Sequence, residues 1–283
     1  MTQRVGVNGV ELSWSEQGDG PDPAFVLCHG YTGSAQDFAG EVGPLSATRR
    51  VVTLDQRGHG QSTKLGRLEG YSVEQLTDDL VTFIEAVGQG PVDLLGHSMG
   101  GRVAMGAVLA RPDLINSLIL MDTSAWSFLP PDDAIRTMVA EYMDKFDPAR
   151  GVPSVFGLDS PEQALIDATA PLDVRQAREA AFAGMDPYAI KALGSALLGS
   201  EGVTSVRDRL SEITCPTTVL VGQKDHPMVD QAPDLAAEVA HGHLAVIPGA
   251  YHSPQLTHPT EWRAAVEAHL AHAHAHADSH AHD

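Results

Sequence analysis

Gly96-His97-Ser98-Met99-Gly100 is the stretch on which the reading of this chain turns. It follows the pattern G-x-S-x-G, in which a serine between glycines serves as a nucleophile. Upstream, Pro91-Val92-Asp93-Leu94-Leu95 is a short apolar run suited to a buried strand. Downstream, Gly101 to Ala110 reads as a helix that stops before Pro112. Small residues on both sides of Ser98 permit a sharp, strained turn. Such a turn lifts the hydroxyl clear of the sheet edge and sets it at a helix N-terminus, where free N–H groups favour negative charge. A nucleophile so placed needs a base, an orienting acid and an oxyanion hole from elsewhere in the chain.

The base is expected to be His252, in Pro248-Gly249-Ala250-Tyr251-His252-Ser253-Pro254. This loop follows the apolar run Leu244–Ile247, so its histidine stands at the carboxyl end of a strand. His241 and His243 flank the start of that run, at the wrong end of the sheet. His258 sits just before the proline that opens the last helix, and reads as a cap or surface group. For the acid, Asp225 in Gly222-Gln223-Lys224-Asp225 follows another buried run, and a carboxylate there would fix one imidazole tautomer. Asp122, which ends Leu118-Ile119-Leu120-Met121, is the alternative. The oxyanion hole needs two convergent backbone N–H groups. Met99 supplies one, and Tyr31 in the loop His29-Gly30-Tyr31-Thr32-Gly33-Ser34 is expected to supply the other. His29 reads as a structural hydrogen-bonding group beneath that loop. Asp55-Gln56-Arg57-Gly58-His59-Gly60 lacks the lysine and spacing of a phosphate loop; it is expected to be a tight structural turn with Arg57 paired to a carboxylate.

Val10 to Ser15 alternates apolar and polar, as an edge strand does. Six unbroken apolar runs follow: 24–28, 51–54, 92–95, 118–121, 217–221 and 244–247. Such runs suit parallel strands buried on both faces. Helix-like segments between most of them (73–87, 102–110, 229–240) imply an α/β, doubly wound, mostly parallel sheet. The alternation fails from Asp122 to about Arg207. There, helix-like pieces fall at 131–146, 161–170, 173–183 and 187–198, and the segment as a whole carries Trp126, Phe128, Met138, Met143, Phe146, Phe156, Phe182, Met185 and Tyr188. An inserted helical lid over residues 123–206 is expected, with Trp126, Phe128, Met138, Met143 and Tyr188 as pocket walls. The lid divides the core into residues 1–122 and 207–270. The His- and Ala-rich tail, 271–283, is expected to be disordered.

Bulk properties narrow the function classes. The net charge of −19, from 37 acidic and 18 basic residues, argues against nucleic acid and anionic membrane as partners. The expected partner is a small-molecule substrate, with the chain a monomer or homodimer. No apolar run reaches membrane-spanning length. The first residues carry no secretory apolar stretch, so a cytoplasmic protein is expected, with Cys28 and Cys215 as free thiols.

Taken in chain order, His29-Gly30-Tyr31, Asp55–Gly60, Gly96–Gly101, Gly222–Asp225 and Ala250–Ser253 resemble the α/β-hydrolase superfamily. More narrowly, they resemble its lidded group of small esterases, enol-lactonases and carbon–carbon bond hydrolases. The resemblance implies the α/β-hydrolase fold with an eight-stranded sheet. It also implies acyl transfer through Ser98, Asp225 and His252 on a small, fairly apolar ester or lactone, with no metal or organic cofactor. Serine at position 98, where haloalkane dehalogenases and epoxide hydrolases carry aspartate, argues against those two activities. A carbon–carbon hydrolase acting on a ring-cleavage dienoate is the alternative; its substrate carboxylate would need a cation, for which Arg102, Arg136, Arg150, Arg175 and Arg178 are candidates. A hydrolase-fold ligand receptor and a cofactor-independent oxygenase are alternatives of another class.

Overall fold

A computed structural model describes residues 2–20, 23–153, 160–199 and 205–280. The strands are β1 (Gln3–Val7), β2 (Val10–Gln17), β3 (Phe25–Cys28), β4 (Val51–Leu54), β5 (Val92–His97), β6 (Ile115–Met121), β7 (Thr217–Gly222) and β8 (Gly242–Ile247). The helices are α1 (Ala39–Leu45), α2 (Val73–Val87), α3 (Met99–Ala110), α4 (Asp133–Lys145), α5 (Pro161–Thr169), α6 (Leu172–Ala183), α7 (Pro187–Leu198), α8 (Met228–Glu238), α9 (Pro254–Thr257) and α10 (Pro259–His280).

The strands form one eight-stranded sheet in the order β1-β2-β4-β3-β5-β6-β7-β8. The pairs β1–β2 and β2–β4 are antiparallel, and all other pairs are parallel. The unbroken apolar runs are explained by burial on both faces. In β3, Val26 and Cys28 join the core under α2 and α3, while Phe25 and Leu27 join the core under α1 and α10. In β6, Leu118 and Leu120 face the first core, and Ile119 and Met121 face the second. Side chains alternate with a period of two, so only a strand covered on both sides can be apolar throughout. Because β3, β5, β6, β7 and β8 run parallel, their carboxyl ends open on one edge. The loops carrying Tyr31, Ser98, Asp122, Asp225 and His252 all leave from that edge.

The helical insertion, α4 to α7, lies between β6 and β7. Phe156 falls outside the described residues. At the other end of the chain, the structure departs from the expected disordered tail. α10 continues without a break to His280, and only 281–283 lie outside the described residues. Trp262, Val266, Leu270 and Ala273 are buried at helical spacing and form one stripe against the sheet. Alanine has the highest helix propensity, and the helix carries past residue 270 on it. His274 Nε2 lies 3.0 Å from the buried Asp93 Oδ2 and ties the extension to β5.

The loop after β4 is held by a buried ion pair. Arg57 Nε and Nη2 donate to the two oxygens of Asp79, at 2.5 and 2.7 Å, and both side chains are almost fully enclosed. Removing one partner leaves the other charge buried and unpaired. Arg57→Met is therefore expected to lower unfolding stability by about 3–5 kcal/mol, measured by urea denaturation. A loss below about 1 kcal/mol would show that water replaces the guanidinium without penalty.

Candidate active site

Ser98 joins β5 to α3 with φ 54° and ψ −119°. This is a left-handed conformation that a β-carbon disfavours, and the surrounding structure must hold it. Ser98 N–H donates to the Met121 carbonyl at 2.8 Å. Its own carbonyl accepts from Gly101 N–H at 2.9 Å and from Thr123 Oγ1 at 2.6 Å. Two glycines admit the turn. A β-carbon on Gly100 would stand 2.5 Å from the carbonyl oxygens of Cys28 and His29, and one on Gly30 would stand 3.0 Å from Ser98 Cβ. The close approach brings the loop after β3 directly against Ser98.

His252, in the loop after β8, stands beside His97, the residue that precedes Ser98. His97 Nε2–H donates to the His252 carbonyl at 2.8 Å, and the two rings lie 4.9 Å apart. Burial holds the His97 pKa down at about 3, so its ring is neutral and serves as a fixed strut. From the other side, Ser253 N–H donates to Glu162 Oε1 of α5 at 2.6 Å. His252 Nδ1–H donates to Asp225 Oδ2 at 2.8 Å, which directs Nε2 away from the acid. Burial works to lower the His252 pKa, but the charge and hydrogen bond of Asp225 outweigh it, and the pKa lies above the ordinary histidine value of 6.5. A general base acts in its neutral form, so a raised pKa moves the active form to higher pH. The kcat/KM profile is accordingly expected to rise along a limb centred above pH 6.5. Replacing Asp225 with asparagine should draw that limb to lower pH. A wild-type limb below the ordinary histidine value would contradict the assignment.

The two candidate acids turn out to be neighbours. Asp122, Asp225 and His252 each place a polar atom within 4.8 Å of the other two. Asp122 Oδ1 accepts from Gly222 N–H at 2.8 Å, while its Oδ2 is buried with no hydrogen-bond partner among the described residues. Two enclosed carboxyls this close cannot both ionise. Burial and the charge of Asp225 push the Asp122 pKa well up. Asp225 is also buried, but the His252 charge and hydrogen bond hold its pKa down. The geometry thus pairs His252 with an ionised Asp225 and sets a protonated Asp122 behind it.

Met99 is the first residue of α3, where the N–H has no carbonyl one turn back. Tyr31 lies one residue beyond Gly30, and its hydroxyl donates to the Ile190 carbonyl of α7 at 2.7 Å. His29 supports this loop from beneath: it accepts from Gln56 N–H at 3.0 Å and donates from Nδ1 to the Gly30 carbonyl at 2.8 Å. Sequence reading missed Asp37. Its Oδ2 accepts from Ser34 N–H at 3.1 Å while Ser34 caps Gln36 N–H, a reciprocal capping box that fixes the end of the loop. The spacing Ser34-x-x-Asp37 was the available signal.

A cavity of about 360 Å³ opens beside this loop, walled by residues 32–34, Asp37, Gln163 and one face of α6. The expected pocket residues do not line it. Met138, on α4, is 64% exposed. Met143 and Phe128 are buried, and Trp126 and Tyr188 pack against the main core. Arg207 lies 4.4 Å above the Trp126 ring. Of the five candidate arginines, Arg175 and Arg178 line the cavity.

A family model described as alpha/beta hydrolase fold matches residues 23–259. The chain is 26% identical to the 2-(acetamidomethylene)succinate hydrolase of Mesorhizobium japonicum, over 91% of this chain and 92% of that protein. It is 28% identical to the (E)-2-((N-methylformamido)methylene)succinate hydrolase of Acinetobacter baylyi, over 93% and 95%. Among solved structures, the enol-lactonase from Burkholderia xenovorans LB400 superposes with a TM-score of 0.77 at 22% identity, covering 95% of this chain and 100% of that one. The strand order, the strained serine between β5 and α3 and these matches agree: the chain belongs to the α/β-hydrolase fold family.

Proposed function

We propose that this hydrolase is a serine hydrolase that cleaves a small carboxylic ester or lactone through an acyl-enzyme on Ser98. The observation that carries the reading is the strained Ser98 backbone, together with a histidine held against the preceding residue His97 and oriented by a buried carboxylate 2.8 Å from its Nδ1. His252 takes the Ser98 proton as Oγ attacks the carbonyl carbon. The N–H groups of Tyr31 and Met99 hold the oxyanion. His252 then gives its proton to the leaving alcohol and afterwards activates water, which releases the acid. Residues 123–206 act as a lid over this site. The substrate is a small molecule; the charge of −19 disfavours nucleic acid and anionic membrane. No helix among the described residues is long and apolar enough to cross a membrane. Both cysteines are free, which accords with a reducing, cytoplasmic setting. The test is labelling by a fluorophosphonate with turnover of short p-nitrophenyl esters. Absence of both would sink the reading.

Hydrolysis of a carbon–carbon bond in a ring-cleavage dienoate is the second reading. Arg175 and Arg178 beside the cavity favour it, because such a substrate carries a carboxylate. The two relatives named above act on succinates, which also carry carboxylates. Turnover of a dienoate without turnover of short esters would select it.

A further inference from the structure

We infer that the cavity between the Tyr31 loop and α6 is a carboxylate-binding subsite, with Arg175 as its principal donor, so that the substrate carries a free carboxylate besides the group that is cleaved. The inference rests on the serine-hydrolase reading for the second half of that statement and on the cavity alone for the first.

Location is the first argument. One wall is residues 32–34, and Thr32 Cα is at most about 7.6 Å from Gly30 Cα, two trans peptide steps away. A β-carbon on Gly30 would stand 3.0 Å from Ser98 Cβ. The opposite wall holds Gln163, whose neighbour Glu162 accepts from the residue after His252. The cavity thus lies between the loop after β3, which abuts Ser98, and α5, which is bonded to the residue after His252, with α6 as a further wall. Its volume, about 360 Å³, lies in the range of small-molecule sites.

Chemistry is the second argument. Arg175 Nη1 contacts Asp167 Oδ1 at 3.1 Å. Its Nε–H is buried with no hydrogen-bond partner among the described residues. That nitrogen is closed to solvent, so an anion in the cavity meets the exposed part of the guanidinium instead: the Arg175 side chain is 27% exposed and lines the cavity, and the partner that suits it best is an anionic oxygen. Arg178 Nε is already committed to Asp37 at 2.6 Å, so it contributes positive charge more than a free donor. Glu179 also lines the cavity. Its carboxylate opposes an anion and limits how tightly one is held, and this gives the site a second handle of opposite sign.

The test uses the full chain and two pairs of measurements. Mono-4-nitrophenyl adipate and 4-nitrophenyl hexanoate present the same chain length with and without a terminal carboxylate. Arg175→Met, which keeps an apolar stem, is expected to raise KM for the adipate half-ester by roughly ten- to a hundredfold and to leave the hexanoate within about twofold. Glu179→Gln should lower KM for the half-ester by a few fold. Binding of adipate itself, followed by calorimetry, should weaken in Arg175→Met and tighten in Glu179→Gln. Adipate binding that neither substitution changes overturns the subsite, as does an equal KM change for both esters. Adipate binding that responds as expected, in a protein that turns over neither ester, supports the subsite and overturns the serine-ester reading instead.

Discussion

Replacing Ser98 with alanine is expected to lower kcat on any ester the protein cleaves by about 10⁴- to 10⁶-fold. The midpoint of thermal unfolding should stay within a few degrees of wild type. The first expectation follows from chemistry. Without Oγ there is no acyl-enzyme, and His252 with the two N–H groups can only assist direct attack by water. The second follows from the backbone. Alanine accepts the φ of 54° on the same terms as serine, and the bonds that hold the turn use the amide and carbonyl of residue 98 together with Thr123. The elbow therefore persists without its hydroxyl. The measurement is single-turnover and steady-state kinetics on protein free of host esterase, with fluorophosphonate labelling in parallel. Turnover within tenfold of wild type, or undiminished labelling, would falsify Ser98 as the nucleophile.

Much of this arrangement is legible in sequence, because each part leaves a local trace. A strand buried on both faces is mostly apolar, so β3 and β5 to β7 stand out, even with Asp93, Ser117 and Thr217 buried within them. β8 shows the limit of that rule. It reads as another unbroken run, yet Leu244 and Val246 are 43% and 44% exposed, because β8 is an edge strand covered less well on one side. β1 gave a weaker trace. Gln3–Val7 is mostly exposed and alternates poorly. Its signal was the turn: Asn8 and Gly9 both have positive φ, as a two-residue hairpin between strands requires. The four helices of the insertion were legible from their periodicity, starting at prolines and capping residues such as Ser160 and Asp186. Their rotation about their own axes was not. Periodicity says that a helix has an apolar face, not which neighbour covers it. Met138 is exposed while Met143, on the same helix, is buried. The cavity lining escaped the sequence for a related reason. Arg175 and Arg178 sit three residues apart on α6 and looked like an ordinary charged face; only the tertiary contact with Asp37 turns that face inward.

The choice between Asp225 and Asp122 is the point that sequence left open, and a pair of substitutions separates them by a large margin. Asp225→Asn is expected to lower kcat by roughly 10³- to 10⁴-fold. An amide at that position presents no negative charge to the imidazolium that forms during attack. It also lets the ring flip to the wrong tautomer, with its proton on the nitrogen that must accept from Ser98. Asp122→Asn is expected to change kcat by less than about threefold. If Asp122 is already protonated beside Asp225, a neutral amide of the same shape replaces a neutral carboxyl, and its oxygen still accepts from Gly222 N–H. The pH profiles add a readout that simple structural damage would not give. Asp122→Asn removes a carboxyl that burial and Asp225 keep protonated, so it should leave the His252 limb in place. Asp225→Asn removes the charge that raises His252, so the limb should fall. Were Asp122 the working acid, both results would exchange places: the large loss and the shifted limb would follow Asp122→Asn, and Asp225→Asn would be nearly silent. Equal, moderate losses would instead mean that the two carboxyls share one proton and orient His252 as a unit.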